Sequence, residues 1–319
     1  MPLAFPTPRL GLGCAPLGSM ERTFGYGVSE ADAIATIHHA LERGITLLDT
    51  APFYANGQSE LRVGRALRGI PRNRFLISTK VGWLPDPNCI GQQGAGERSY
   101  TRDAVLRSIE GSLKRLGMDY LDIVHVHDPE AGDYRRQIMD EAYPVLLDLK
   151  AQGVIHAIGA GLNQTDFLVD FARHAPLDCA ILAGRYTLLE QAPLQEAFPL
   201  AMAKGIGILA AGVFNGGILA TGARPGARYQ YAPAPEPILR LTRMIERVCV
   251  KHGVSLRAAA MQFAAAHPAV QMLIVGMVKP SEVDENLADF SAPIPPAFWA
   301  ELKARELIEP DAPTPVVGR

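Results

Sequence analysis

The sequence predicts a (β/α)8 barrel of the TIM-barrel class, and three observations predict it. Short apolar runs ending in Gly or a polar residue alternate with longer amphipathic segments, so the hydrophobic period switches repeatedly between strand and helix. Eight such runs occur, and their continuous apolar character suits parallel strands covered on both faces. The 319 residues accommodate eight strand and helix units in one domain, because α/β barrels commonly exceed the usual domain length. Residues 1–319 are expected to form that one domain, closing in the Pro-rich tail IEPDAPTPVVGR.

RLGLGCA reads as the first strand. SEADAIATIHHALERG follows as a surface helix, with Ser29 as N-cap and Gly44 as its stop. ITLLDTA and RFLISTKVG are the second and third strands, after which the Gly- and Pro-rich GWLPDPNCIGQQGAGERSY interrupts the rhythm. TRDAVLRSIEGSLKRLG restores it as a helix opened by Thr101 and closed by Gly117. LDIVHVHD, IHAIGAGL, DCAILAGRY and GIGILAAGVF supply strands four to seven. A second long irregular stretch, FNGGILATGARPGARYQYAPAPEP, precedes the eighth strand, QMLIVGM. Long loops in compact domains usually carry function, so both stretches are read as lids over the barrel mouth.

A formal charge of −2 and the lack of any Lys and Arg cluster interleaved with aromatics argue against a nucleic-acid surface and for a small-molecule partner. The start, MPLAFPTPRL, lacks a charged segment followed by an apolar one, and no window approaches 18 apolar residues. No membrane association is expected, and a cytoplasmic location is. No feature specifies an oligomeric state. Cys14, Cys89, Cys179 and Cys249 lie far apart, without the close pairs of zinc sites, and are expected to be reduced.

Active sites of such barrels gather at the C-terminal strand ends, which makes polar strand ends the candidates. The second strand ends in Asp49 with Tyr54 just beyond, the third in Lys80 and the fourth in His127. Each alone has an ordinary structural reading, since a strand-end Asp can cap a turn and a lone His is usually a satisfied core residue. Together they have a shared electrostatic logic. An ordinary Tyr titrates near pH 10, and the Lys80 ammonium is expected to favour its anion. Asp49 would hold Lys80 charged, because a buried ammonium without an anion tends to lose its proton. His127 would orient a substrate oxygen or assist proton movement.

This pattern resembles the aldo-keto reductase superfamily, which carries an Asp, Tyr, Lys and His tetrad in this order at these strand ends. The resemblance rests on GITLLDTAPFYANGQSELRVGRALR, STKVG and DYLDIVHVHDPE, and extends through GLNQ, AGRYTLLEQ and VGMVKPSEVDEN. It implies that Asp49, Tyr54, Lys80 and His127 are the catalytic tetrad and that the reaction is hydride transfer between a nicotinamide and a carbonyl or alcohol carbon. The APLGSM, AGRYTLLEQ and YAPAPEPILR segments are similar to the aldose 1-dehydrogenase branch, which includes L-fucose, D-threo-aldose and pyridoxal dehydrogenases. The implied substrates are therefore an aldose oxidised at C1 to its lactone, or the hemiacetal of pyridoxal. A general NADPH-dependent carbonyl reductase is the remaining alternative within the family. Substrate contacts are expected from Tyr54, His127 and Trp83.

For the cofactor, the resemblance places Asn163 on the nicotinamide carboxamide and Glu285 with Asn286 near the adenine. Ala183 stands where many members have a Gln, and Leu162 where Ser is usual. Phe214 is either a nicotinamide-stacking ring or a core or lid aromatic. Members that prefer NADPH place Lys, Ser and Arg around the 2′-phosphate, where this chain has Gly276, Met277 and Glu282. Two cations are missing and one has become an anion, which favours NAD over NADP if Glu282 meets the ribose rather than solvent.

Two rival readings are weaker. In GLGCAPLG, Pro16 occupies the third Gly of a GxGxxG turn. His125 and His127 share one strand face, as ligands of a metal-dependent hydrolase would, yet the later strands end in Gly, Asn and Tyr rather than in ligands. No metal is expected.

Overall fold

The computed structural model describes residues 7–315; residues 1–6, and residues 316–319 of the Pro-rich tail, lie outside the described residues. Eight parallel strands close into a barrel. They are β1 (Leu10–Gly13), β2 (Leu47–Asp49), β3 (Leu76–Val81), β4 (Leu121–His127), β5 (Ile155–Leu162), β6 (Cys179–Ala183), β7 (Gly207–Ala211) and β8 (Val270–Gly276). Each pairs with its sequence neighbours, and β1 closes the ring on β8. Six of the predicted runs were longer than their strands, because their end residues already turn into loops, while IHAIGAGL coincides with Ile155–Leu162 and QMLIVGM is offset by one residue from Val270–Gly276.

The helices form where their end signals place them. Glu30–Glu42 starts with Ser29 Oγ accepting the Asp32 N–H, and Arg102–Leu116 starts with Thr101 Oγ1 accepting the Ala104 N–H. Gly117 ends the second helix at φ 69°, a left-handed conformation that glycine adopts without a Cβ penalty.

Side chains alternate across a strand, and this divides the core in two. Leu47, Ile123, Cys179, Leu209, Met272 and Ile274 fill the barrel interior, while a larger set lies between strands and helices. Asp49, Lys80 and His127 share the inward parity of the first set and lie nearer the strand C-termini, so the barrel floor delivers them to the mouth.

The two long loops are more ordered than their irregular sequences suggest. Trp83–Leu84 pairs antiparallel with Glu97–Arg98, and Arg228–Tyr229 with Ala232–Pro233. Arg228 also donates to Thr23 O at 3.3 Å, tying the loop after β7 to the loop after β1. Cys14, Cys179 and Cys249 are buried free thiols, and Cys89 is a half-buried one. Among the described residues, no helix is long and apolar enough to cross a membrane.

Candidate active site

A cavity of about 680 Å³ opens at the C-terminal strand ends, walled by Asp49, Tyr54, Lys80, His127, Asn163 and Gly276 among others. Its centre is a buried ion pair. Lys80 Nζ donates to Asp49 Oδ2 at 2.9 Å, to Asp49 Oδ1 at 3.1 Å and to Thr50 O at 2.7 Å. Those contacts occupy the ammonium, which meets Tyr54 only through the ring, 4.7 Å from its centroid. The His127 ring lies edge-on to Tyr54 at 5.6 Å.

The expected lowering of the Tyr54 pKa does not appear. Burial pushes it well above the ordinary phenol value, and the negative charges of Asp49 and Asp128 add to the effect. The physical reason is that Lys80 is neutralised by Asp49, so desolvation of the phenolate prevails. Tyr54 thus remains a proton donor, and among the described residues its hydroxyl hydrogen-bonds to no protein group. His127 is held neutral: burial first, then Lys80 and Arg98, push it down to about 4 against the pull of Asp128. A neutral imidazole and an unbonded phenol facing one cavity can together bind and protonate or deprotonate a single oxygen atom.

Asn163 also reaches the cavity wall, its Nδ2 donating to Asp128 Oδ1 at 2.8 Å while Arg185 Nε donates to its carbonyl at 2.5 Å. Gly276 lines the same cavity, and the remaining expected contacts do not. Met277 follows the inward-facing Gly276, so alternation turns its side chain into the outer core, where it is fully buried. Phe214 is half-buried against that same core. Trp83 packs edge-on to Phe53, which does line the cavity, at 4.9 Å. The Glu282 carboxylate accepts the Val278 N–H at 2.8 Å and lies 3.9 Å from Lys279 Nζ. Glu285 pairs with Arg257 at 2.9 Å. Asn286 Nδ2 donates to Glu282 O, leaving its buried Oδ1 without a protein partner.

Several wall residues were not singled out in the sequence: Arg22, Thr23 and Phe24 after β1, Gln93 after β3, and Gln230 and Tyr231 after β7. The last two sit at φ 47° and 66°, a left-handed conformation uncommon for side-chain-bearing residues. The one available signal for the first group was position, since residues 14–29 form a loop at the same strand ends as the tetrad. Among the described residues, no group of three or more His, Cys, Asp or Glu is placed to hold a metal.

A closed parallel barrel with a Lys and Asp pair, a Tyr and a His at its C-terminal mouth defines an oxidoreductase class, and sequence comparison agrees. The Aldo/keto reductase family model matches residues 9–306, so the chain belongs to that family, and with its likeness to named dehydrogenases it is an NAD(P)-dependent oxidoreductase. It is 36% identical to a D-threo-aldose 1-dehydrogenase of a Pseudomonas species, covering 97% of this chain and 95% of that one. It is 35% identical to a pyridoxal 4-dehydrogenase of Microbacterium luteolum over 94% of each. The fold matches the holo form of an aldo-keto reductase from Bacillus halodurans with a TM-score of 0.74, at 24% identity, over 98% of this chain and 94% of that one.

Proposed function

We propose that the protein oxidises an aldose at C1 to the lactone, with NAD as hydride acceptor. One observation carries the reading: Tyr54 lines the cavity with its ring against both a neutral His127 and the Lys80 of the Lys80–Asp49 pair, and its hydroxyl hydrogen-bonds to no other group among the described residues. Likeness to the D-threo-aldose enzyme over nearly the whole chain supports the substrate class. Polar side chains at the rim, Thr23, Gln93 and Gln230, suit a polyhydroxyl ring.

The residues present fit a dinucleotide. Gly184, Gly212 and Gly216 expose bare backbone along one wall beside Arg185 and Asn163, and the buried Asn286 Oδ1 lacks a protein partner. Bound NAD supplies the hydride-accepting carbon. In its deprotonated form Tyr54, as phenolate, takes the proton of the C1 hydroxyl and becomes the phenol, while His127 hydrogen-bonds the same oxygen. Asp49 holds Lys80 in place beneath the Tyr54 ring. Because the Tyr54 phenol is held above its ordinary value, its basic form grows with pH and oxidation should quicken accordingly. Glu282, beside the loop that follows Gly276, supports NAD over NADP, since a carboxylate near a 2′-phosphate is repelled.

A second reading, oxidation of the pyridoxal hemiacetal, is favoured by the paired aromatics at the mouth. Phe24 and Tyr231 lie edge-on at 6.2 Å and suit a planar ring. Absorbance at 340 nm with NAD or NADP, a panel of aldoses and pyridoxal separates these readings. The proposal expects the best kcat/KM for an aldose with NAD. Faster reduction of simple aldehydes with NADPH would refute it.

A further inference from the structure

Two buried polar residues lie one inward step beneath the tetrad: Ser78, two before Lys80, and His125, two before His127. Both are fully buried. Register aligns them, since Asp49 pairs with Ser78, Lys80 with His125, and His125 with Gly159. Ser78 Oγ lies 2.7 Å from Asp49 Oδ1, and His125 Nε2 lies 3.1 Å from Ser78 Oγ.

The protons in this chain can be assigned. Asp49, the carboxylate partner of Lys80, only accepts, so the Ser78 hydroxyl must donate to it. That uses the one proton of Ser78, which can then only receive from His125 Nε2–H. The imidazole is neutral: burial first, then the nearby charge of Lys80, hold it well below its usual value. Its single proton therefore sits on Nε2, and its buried Nδ1 has no partner. Space for the ring is reserved, because a Cβ at Gly159 would come within 2.2 Å of His125 Nδ1. A Cβ at Gly161, beside His127, would meet only ordinary contacts at 3.7 Å.

We propose that Ser78 and His125 are positioning residues, a directional hydrogen-bond chain from His125 through Ser78 to Asp49 that fixes the carboxylate on which Lys80 is held. The proposal rests on the reading that Lys80 and Tyr54 serve the reaction. Ser78→Ala should lower kcat about tenfold or more, as loss of an outer hydrogen-bond partner does at other sites, with KM for the nucleotide within about twofold. Ser78→Thr keeps the hydroxyl and should recover most of kcat, and His125→Leu should reproduce the loss, with the double variant little worse than either single one. Nitrogen-15 NMR of histidine-labelled wild-type protein reads the tautomer without any variant having to fold, and should show His125 as Nε2–H. An Nδ1–H tautomer, or Ser78→Ala with wild-type kcat, would overturn the proposal. Full activity in Tyr54→Phe would instead sink the catalytic reading, leaving the tautomer measurement to decide the chain.

Discussion

Replacing Lys80 by methionine removes the cation of an ion pair whose side chains are only 2% and 6% exposed. Asp49 would keep the Ser78 hydroxyl as donor but lose both ammonium contacts. Breaking a buried pair by deleting one partner costs about 3–5 kcal/mol, because the remaining charge stays buried and uncompensated. Unfolding entropy is about 2.1 cal/mol/K per residue, which for 319 residues gives ~0.7 kcal/mol/K, so Tm should fall by roughly 4–8 °C. Asp49→Asn in the same background removes the orphaned charge. The double variant should therefore be more stable than the sum of the two single losses by about 2 kcal/mol or more. Calorimetry on wild type, both single variants and the double variant closes the cycle. Strict additivity, or Lys80→Met melting within 1 °C or so of wild type, would refute the claim that this pair is buried and mutually compensated.

Glu282→Arg should narrow or reverse the preference for NAD, by removing repulsion and supplying a planar cation suited to phosphate. The kcat/KM ratio for NAD and NADP, taken at low and high salt, checks this; equal use of both by the wild type would show that Glu282 does not act on the cofactor. Acid should destabilise the fold early. His127 and His267 are each pushed down to about 4 by burial, below an unfolded value near 6.5, so the native state binds fewer protons across that interval and stability falls as pH drops through it. At ~1.4 kcal/mol per pH unit, His127 alone contributes up to about 3 kcal/mol. A Tm unchanged between pH 7 and about 5 would contradict this.

The barrel was legible because its signals are local: apolar runs, Ser29 and Thr101 as caps, Gly117 as a stop. Strand order followed from parallel pairing of consecutive units. Asp49, Lys80 and His127 were legible because strand ends of such barrels converge, and Tyr54 because it follows one closely. The sign of the Tyr54 shift was not legible, since it depends on the three acceptors around Lys80 Nζ and on burial, both products of packing. Met277 was open to correction by parity alone, as the outward neighbour of Gly276. Gln93, Gln230 and Tyr231 sit in loops without hydrophobic period, where only the folded backbone shows which side chains turn inward.

The central claim is that Tyr54 exchanges the substrate proton. Stopped-flow absorbance at 340 nm under single-turnover conditions, with saturating NAD and the best aldose, compares wild type with Tyr54→Phe at the chemical step. General acid–base groups contribute on the order of 10²- to 10⁴-fold, so the variant should slow hydride transfer by that factor while its nucleotide affinity stays within about twofold of wild type. Hydride transfer at the wild-type rate in Tyr54→Phe would contradict the account.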